Sequence, residues 1–455
     1  VPVEVDPLLL IVLIVLIVAI RYDGRMPQPT AAVLLAHLRR QEDAMADLLA
    51  DLARLESPSS VPASQGAILG RLAAELQGAG MRVRRLAGKE SGGLLYAVAR
   101  SGSMAGWGEP PAARVQAATM VAARGEVAGA QRGRPAQLLL GHCDTVWPIG
   151  MLATMPVERR DGRLYGPGVY DMKAGLVQAV FALRALGELR LSPPAVPVVL
   201  VNSDEETGSE ESTRQIRRLA RRMERVFVLE PSLGPRGALK SCRKGVGQFH
   251  VVVRGRAAHA GLDPERGASA VLELARVIER LYALADAARG ITINVGVVSG
   301  GLRGNVVAPE AFAEVDVRVR DAADVTGLEA AVRGLTASTT PGTTVEIAGS
   351  IGRPPLHETA ANRALRRQAE DAARQLGVDL DHGTAGGASD GNTTSQHTAT
   401  LDGLGAVGGG AHALDEHVVL AALPERTALL ALLLLAPLAA SPSVPVPLPG
   451  VEVHA

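Results

Sequence analysis

Apolar residues recur at helical spacing through the first well-patterned stretch of the chain. Val33, Leu34, Leu38, Ala44, Leu48, Leu49 and Leu52 fall on one face of an amphipathic helix predicted over Thr30 to Leu55. The loop from Ser57 to Ser64 ends it. A second helix is predicted from about Ala67 to Gly78, followed by strands at Met81 to Leu86 and Leu94 to Ala99. Gly102 to Pro135 is rich in Ala and Gly, carries no period, and reads as a long surface insertion. Three short, unalternated apolar runs come next, Leu138 to Leu140, Val196 to Val201 and Val226 to Leu229. Such runs suit strands buried on both faces, as in a parallel sheet. A helix from about Ala174 to Leu186 separates the first two, and strand-helix-strand implies an α/β sheet with right-handed crossovers.

The period changes in the middle of the chain. Gln248 to Arg254 alternates, Ala268 to Ala288 is amphipathic, and Thr292 to Val298 and Ala313 to Val319 read as strands. A helix near Val325 to Leu335 and a strand near Thr344 to Ala348 complete the order β-α-β-β-α-β, the ferredoxin-like split unit. Helical patterning resumes at Glu358, and an apolar helix closes the pattern at Arg426 to Leu435. The expected organisation is an apolar segment at 1–25, a main domain whose first part is 26–243, an inserted unit at 244–353, the second part of the main domain at 354–436, and a disordered Pro-rich tail at 437–455.

Length and charge agree with two units and narrow the class. The chain has 455 residues, more than one hydrophobic core usually serves. Its 47 basic and 47 acidic residues cancel, so there is no excess field to draw nucleic acid or an anionic membrane, and no nucleic-acid partner is expected. Cys143 and Cys242 stand far apart without CxxC spacing, which points away from a disulfide framework or a thiolate zinc site and suits a cytoplasmic protein. The apolar run Leu8 to Ile20 is shorter than the about 20 residues a spanning helix needs, and Arg21 and Arg25 follow it where a signal peptide has its charge first. Two readings stay open, a segment extraneous to the folded protein or a short membrane anchor at 8–20 whose basic flank keeps the body cytoplasmic. Deleting residues 1–25 separates them.

The candidate chemistry lies where the buried strands end. His142 and Asp144 follow the first, Asp204, Glu205 and Glu206 the second, and Glu230 the third. Ligands of open α/β sheets bind outside the carboxyl ends of the strands, so these side chains are expected in one crevice. Asp171 sits in a Gly-rich turn opening a helix, where one carboxylate can reach two metals, and His412 follows a run of glycines. Singly each has a plainer reading: a structural His, a capping Asp, a solvated acidic loop, a Glu before a proline turn. Together, imidazole and carboxylate donors without thiolate suit an open catalytic zinc site, and their number suits two ions sharing a carboxylate. Asp144 is placed to accept the other N–H of His142. Adjacent Glu205 and Glu206 divide the work, one binding metal and the other, Glu205, moving the proton.

These residues stand in Gly141-His-Cys-Asp-Thr-Val-Trp-Pro, Tyr165-Gly-Pro-Gly-Val-Tyr-Asp-Met-Lys-Ala-Gly, Asp204-Glu-Glu-Thr-Gly-Ser, Val228-Leu-Glu-Pro and Gly-Gly-Ala-His412. The set resembles the metallopeptidase family of glutamate carboxypeptidase, acetylornithine deacetylase and succinyl-diaminopimelate desuccinylase, with motifs most like the folate-cleaving glutamate carboxypeptidase. The resemblance runs from about Gln41 to Leu435. It implies a zinc-exopeptidase-like α/β domain, mainly parallel, carrying a lid and dimerisation domain. It also implies that Asp171 bridges two Zn²⁺ ions (Co²⁺ or Mn²⁺ as substitutes), that His142 and Glu230 complete one site and Glu206 and His412 the other, and that Glu205 is the general base. A Glu at position 230 tilts the substrate toward a small peptide's C-terminal residue or an N-acyl amino acid.

Within the insert, Gly255-Arg-Ala-Ala-His-Ala-Gly, Gly304-Asn-Val-Val-Ala-Pro and Asp316-Val-Arg also match. By resemblance His259 steadies the oxyanion across a homodimer, and Asn305 and Arg318 hold the substrate carboxylate, roles that suit an imidazole and a guanidinium fork. The strand pattern alone puts Arg318 on a solvent face. Gly383 to Asn392, with Gly386 and Gly387, resembles a substrate-lining glycine loop and reads almost equally well as a surface turn. The expected reaction is hydrolysis of an amide beside a free carboxylate, with Glu205 taking a proton from water and returning it to the leaving amine. An N-acyl amino acid deacylase and a catalytically silent binding homologue are the alternatives.

Overall fold

The computed structural model describes residues 29–99 and 134–438. The apolar run at 8–20, nearly all of the expected insertion and most of the expected tail therefore lie outside the described residues. The central sheet is mixed and six-stranded. Its members are β1 (Met81–Leu86), β2 (Leu94–Ala99), β3 (Ala136–His142), β6 (Val196–Asn202), β7 (Arg225–Val228) and β14 (Ala399–Leu401), in the order β1-β2-β6-β3-β7-β14. From β6 through β14 the neighbours are parallel, and β1 and β2 are added antiparallel at one edge. The run Val196 to Val201 is buried on both faces, which is why it carries no alternation.

The predicted helix at Thr30 to Leu55 is two helices, α1 (Pro29–Arg39) and α2 (Glu42–Arg54). The five consecutive polar residues Arg39 to Asp43 leave nothing to bury at the joint, and a tight turn closes there through Gln41 N–H to the Leu38 carbonyl, 2.9 Å. The break frees each half to pack separately, α1 on the last helix and α2 beside the turn that carries Asp171. Helix α3 (Gln65–Gly78) lies on β1 and β2, and α4 (Ala174–Glu188) is almost wholly buried. After α5 (Thr213–Ala220), β8 (Leu239–Arg243) leads out of the main domain.

The chain then builds β9 (Gly245–Arg254), α6 (Ala270–Tyr282), β10 (Thr292–Gly300), β11 (Glu310–Val319), α7 (Ala322–Arg333) and β12 (Thr344–Arg353). These strands form a separate sheet in the order β10-β11-β9-β12, every neighbour antiparallel. Both helices cover one face, and a second hydrophobic cluster, drawn only from residues 249–351, fills the space between. The other face shows Gln248, His250, Asn294 and Glu314 to solvent. Helix α6 is shorter than the stretch Ala268 to Ala288 suggests. Ser269 caps its start, its hydroxyl accepting from Leu272 N–H at 3.2 Å, and the chain turns at Asp286 to pair with Ile291.

The main domain resumes with α8 (Ala360–Gln375), β13 (His382–Ala385), α9 (Asp390–Thr394) and α10 (Leu423–Leu435). Helix α10 is apolar nearly all round and is accordingly enclosed, against α1, α4 and α8. Two small features were not anticipated from periodicity. β8 pairs in parallel with β13, and β4 (Glu158–Arg160), β5 (Arg163–Tyr165), β15 (Gly408–Gly409) and β16 (His417–Val419) make an antiparallel patch behind the glycine run. Both connections to the insert are held by one side chain. The Asn392 amide donates to the carbonyls of Lys244 and Pro354, 3.0 Å each.

Candidate metal centre

His142 is the last residue of β3 and is buried. Its Nε2 lies 3.4 Å from Asp171 Oδ1 and 3.6 Å from Glu230 Oε1. On the far side of Asp171, Oδ2 is 3.6 Å from His412 Nε2, which is 3.3 Å from Glu206 Oε2. Two triads result, His142–Asp171–Glu230 and Asp171–Glu206–His412, each with its donor atoms within 4.8 Å of one another and Asp171 common to both. The five residues expected as ligands thus converge on one place, although they come from β3, the turn before α4, and the loops after β6, β7 and β15.

The turn bearing Asp171 is organised by Glu416, four residues beyond His412. The Glu416 carboxylate accepts from the backbone N–H groups of Gly168 (3.0 Å), Tyr170 (2.9 Å) and Asp171 (3.0 Å), and from Trp147 Nε1 (2.8 Å). Gly168 has φ 71°, and a Cβ there would lie 2.5 Å from Thr145 Cγ2, so the turn needs glycine for both space and backbone. A Cβ on Gly175 would meet the Leu229 carbonyl oxygen at 2.1 Å, which shows how closely α4 approaches the end of β7 and draws Asp171 toward Glu230. The buried Lys173 ammonium donates to the carbonyls of Leu55 (3.2 Å) and Pro167 (3.4 Å), and burial lowers its pKa to about 8.

Asp144 does more than expected. The closer acceptor for His142 Nδ1 is the Asp144 main-chain carbonyl at 3.0 Å, with the carboxylate at 3.4 Å. The carboxylate also receives Ser59 Oγ (2.7 Å) and the backbone N–H groups of Glu205 (3.2 Å) and Glu206 (3.1 Å). It anchors the turn carrying both glutamates. Glu205 is buried, and Arg353 at the end of β12 donates to its Oε1 at 2.7 Å. Burial pushes the Glu205 carboxyl up to about 8 against the opposing pull of Arg353. Arg353 is itself braced by Ser209 Oγ at 2.7 Å and Asp390 at 3.4 Å.

Glu230 meets a second arginine, Arg243, whose Nη2 donates to Oε2 at 3.0 Å. Burial alone would raise Glu230; Arg243, the hydrogen bond with His142 and Lys240 outweigh it and hold the carboxyl well below the usual range. Arg243, Arg353, Asp390 and Asp402 were all missed from the sequence. They show no ligand spacing, although Asp390 lies within the segment Gly383 to Asn392, and only the folded contacts give them partners.

Among the described contacts, the remaining predicted residues touch none of the ligand carboxylates directly. His259 and Asn305 adjoin each other on the insert, through Ala260 N–H to the Asn305 carbonyl at 3.0 Å, and the His259 Nδ1 accepts from Gly261 and Leu262 N–H, 3.1 Å each. Arg318 forms a two-point pair with Asp316 on its own strand, 2.7 and 2.8 Å. No described contact joins these three to the metal triads. Gly386 and Gly387 are exposed, and a Cβ on either would meet nothing within 4 Å, so the fold itself does not demand glycine there.

The donor set fits divalent metal. His142 Nε2 and Asp171 Oδ1 are buried and lack any hydrogen-bond partner, which is costly unless a ligand engages them. Burial would lower the His142 imidazole, yet Asp144, Asp171 and Glu230 raise it well above its usual value, and the Glu206 hydrogen bond raises His412 to about 9. Both shifts express a negative potential that a cation would satisfy. Nitrogen and oxygen donors in two open triads are the chemistry of a hydrolytic two-metal site.

The family model described as peptidase family M20/M25/M40 matches residues 138–436. Carboxypeptidase G2 of Pseudomonas sp. (strain RS-16) is 29% identical over 304 residues, covering 65% of this chain and 72% of that enzyme. Acetylornithine deacetylase of Myxococcus xanthus is 32% identical over 207 residues, 43% of this chain and 52% of that protein. The solved structure of aminopeptidase PepT from Bacillus cereus superposes with a TM-score of 0.67 at 19% identity, covering 86% of this chain and 98% of that one, a likeness of fold.

Proposed function

The chain belongs to peptidase family M20/M25/M40 and is a hydrolytic enzyme, and from that premise we propose that it is a di-zinc carboxypeptidase cleaving an amide bond beside a free carboxylate. The observation that carries this reading is the pair of ligand triads sharing Asp171, with Glu205 buried beside them. In this reading His142 and Glu230 hold one ion, Glu206 and His412 the other, and Asp171 both. The ions would supply Lewis acidity toward water and the amide carbonyl.

The chain's own residues do the rest. Glu205 accepts the proton of the attacking water and passes it to the leaving amine, which requires one carboxylate to stay near the reacting atoms throughout. Arg353 keeps that side chain turned inward, and Asp144 fixes the backbone from which Glu205 and Glu206 diverge. The inserted unit, which we divide from the main domain at 244–353, is read as a ferredoxin-like lid. Its movement would carry Asn305 and Arg318 to the substrate carboxylate and His259 to the oxyanion. Arg318 would then exchange its pairing with Asp316 for the substrate. A homodimer through the insert, with His259 acting on the neighbouring copy, completes this reading. Both cysteines are free and no described helix is long and apolar enough to cross a membrane, and we keep a cytoplasmic setting as part of the proposal.

The likeness to acetylornithine deacetylase supports a second reading, an N-acyl amino acid deacylase using the same site. A panel of folyl-glutamate, dipeptides and N-acetyl amino acids, assayed with and without added Zn²⁺, separates the two by which members release an amino acid. Glu205→Gln should lower turnover by roughly 10²–10⁴-fold while metal content stays at the wild-type level. Retained turnover in that variant would remove Glu205 from its role, and absence of metal binding would end the site assignment.

A further inference from the structure

Arg243 ends β8 with only 4% of its surface exposed, and every nitrogen of its guanidinium is engaged. Nε donates to Asp402 Oδ2 at 2.7 Å and Nη2 to Asp402 Oδ1 at 3.1 Å. Nη2 also donates to Glu230 Oε2 at 3.0 Å. Nη1 donates to the carbonyls of Gly387 at 3.1 Å and Ala388 at 3.4 Å. Asp402 is fixed in turn by Ser389 Oγ at 2.6 Å and by Gly403 N–H. A buried guanidinium with this complement of partners cannot turn without leaving carboxylates unpaired, so it is a rigid fork.

The fork determines which oxygen Glu230 presents. Oε2 is occupied by Arg243, with Lys240 Nζ a further 3.9 Å contact, and Oε1 is left facing His142 Nε2 at 3.6 Å. The other triad is built differently. Among the described contacts no arginine or lysine touches the Glu206 carboxylate, and His412 is half-exposed on a loop where its own φ is 60°. The two metal positions therefore differ in how their carboxylate is held.

We propose that Arg243 is a positioning residue for one metal position only: it fixes Glu230 as a one-oxygen ligand and ties the His142–Glu230 position to the Gly387–Ala388 segment. The inference rests on the two-metal reading above and adds that its two positions depend unequally on a single arginine. Partners that orient a metal ligand commonly contribute about 10–100-fold to affinity, which sets the size of the effect.

The test is calorimetric titration of the metal-stripped full chain with Zn²⁺, alongside metal content after dialysis. The wild-type protein should take two ions. Arg243→Gln should weaken one binding event by about 10–100-fold and leave the other unchanged. Arg243→Lys should do the same, since an ammonium cannot span Asp402, Glu230 and the loop carbonyls. The event weakened should be the one that survives in Glu206→Gln, and combining the two substitutions should leave that single event, weakened by about 10–100-fold. Should Arg243→Gln fail to fold, Arg243→Lys and Asp402→Asn carry the comparison, the latter with a smaller shift in the same event. Two unaltered events in the folded Arg243 variants, or equal weakening of both, would overturn the inference. A wild-type chain that binds no Zn²⁺ would instead overturn the two-metal reading, and this inference with it.

Discussion

Glu416 shows how much one side chain outside the metal triads can govern. Its carboxylate gathers three N–H groups of the Asp171 turn and an indole N–H. Glu416→Ala would leave these donors without their acceptor, at about 1–3 kcal/mol for each buried group left unpaired. The expected outcome is a loss on the order of 2–6 kcal/mol in denaturant unfolding from the buried donors of Gly168 and Tyr170, together with weaker metal binding in both triads, because Asp171 is common to them. An unchanged unfolding midpoint with normal metal content would refute this. The sequence displayed Glu416 beside His412 without any sign of its use, since its partners are 245 or more residues away in the chain.

The inserted unit offers a test of pH at a distance from the metals. Glu273 on α6 is fully buried and accepts from Thr339 and Thr340 N–H, from Thr339 Oγ1 and from Arg280. Burial alone would raise its pKa; the hydrogen bonds outweigh burial and hold it below the ordinary glutamate value. A depressed folded-state value stabilises above the ordinary glutamate range, and that stabilisation is lost as pH falls through it. Wild-type protein should therefore melt well above Glu273→Gln at pH 7, with the gap narrowing only once pH falls below the ordinary glutamate value. A gap independent of pH would show that the pair acts by shape alone.

At the scale of elements, the short α9 holds the insert's two connections through Asn392. Asn392→Ala should speed amide hydrogen exchange around 244–247 and 351–356, with little change in the central strands β3 and β6, since local opening follows local contacts. Uniform protection would place the restraint elsewhere. Strands β1 and β2 were legible to the residue, because turn residues bound them and their lengths are short. The break between α1 and α2 was not, because helical spacing continues in phase across Arg39 to Asp43 and only packing against two different partners separates the halves. The β8–β13 pair and the patch behind His412 join segments too short to show a period.

For the molecule as a whole, the site concentrates Asp171, Glu206 and Glu230 around two imidazoles, so removing metal leaves like charges facing one another. Chelation should lower the melting temperature and added Zn²⁺ should restore it. At a free ion concentration 100 times Kd the stabilisation is about 2.7 kcal/mol for one site. A melting temperature indifferent to chelator would count against metal at these residues.

The sequence by itself determined five of the six strands of the central sheet, all but β14, the β-α-β-β-α-β order of the insert, and the five side chains that meet as two triads. It could do so because periodicity and strand-end placement are local properties of the chain. Only the tertiary structure decided which groups hold those side chains still: Arg243 on Glu230, Arg353 on Glu205, Glu416 under Asp171, and the Asp144 carboxylate beneath the glutamate turn as well as beside His142. These are pairings between residues distant in sequence, whose charges must be neutralised once buried, and burial exists only after the chain has folded.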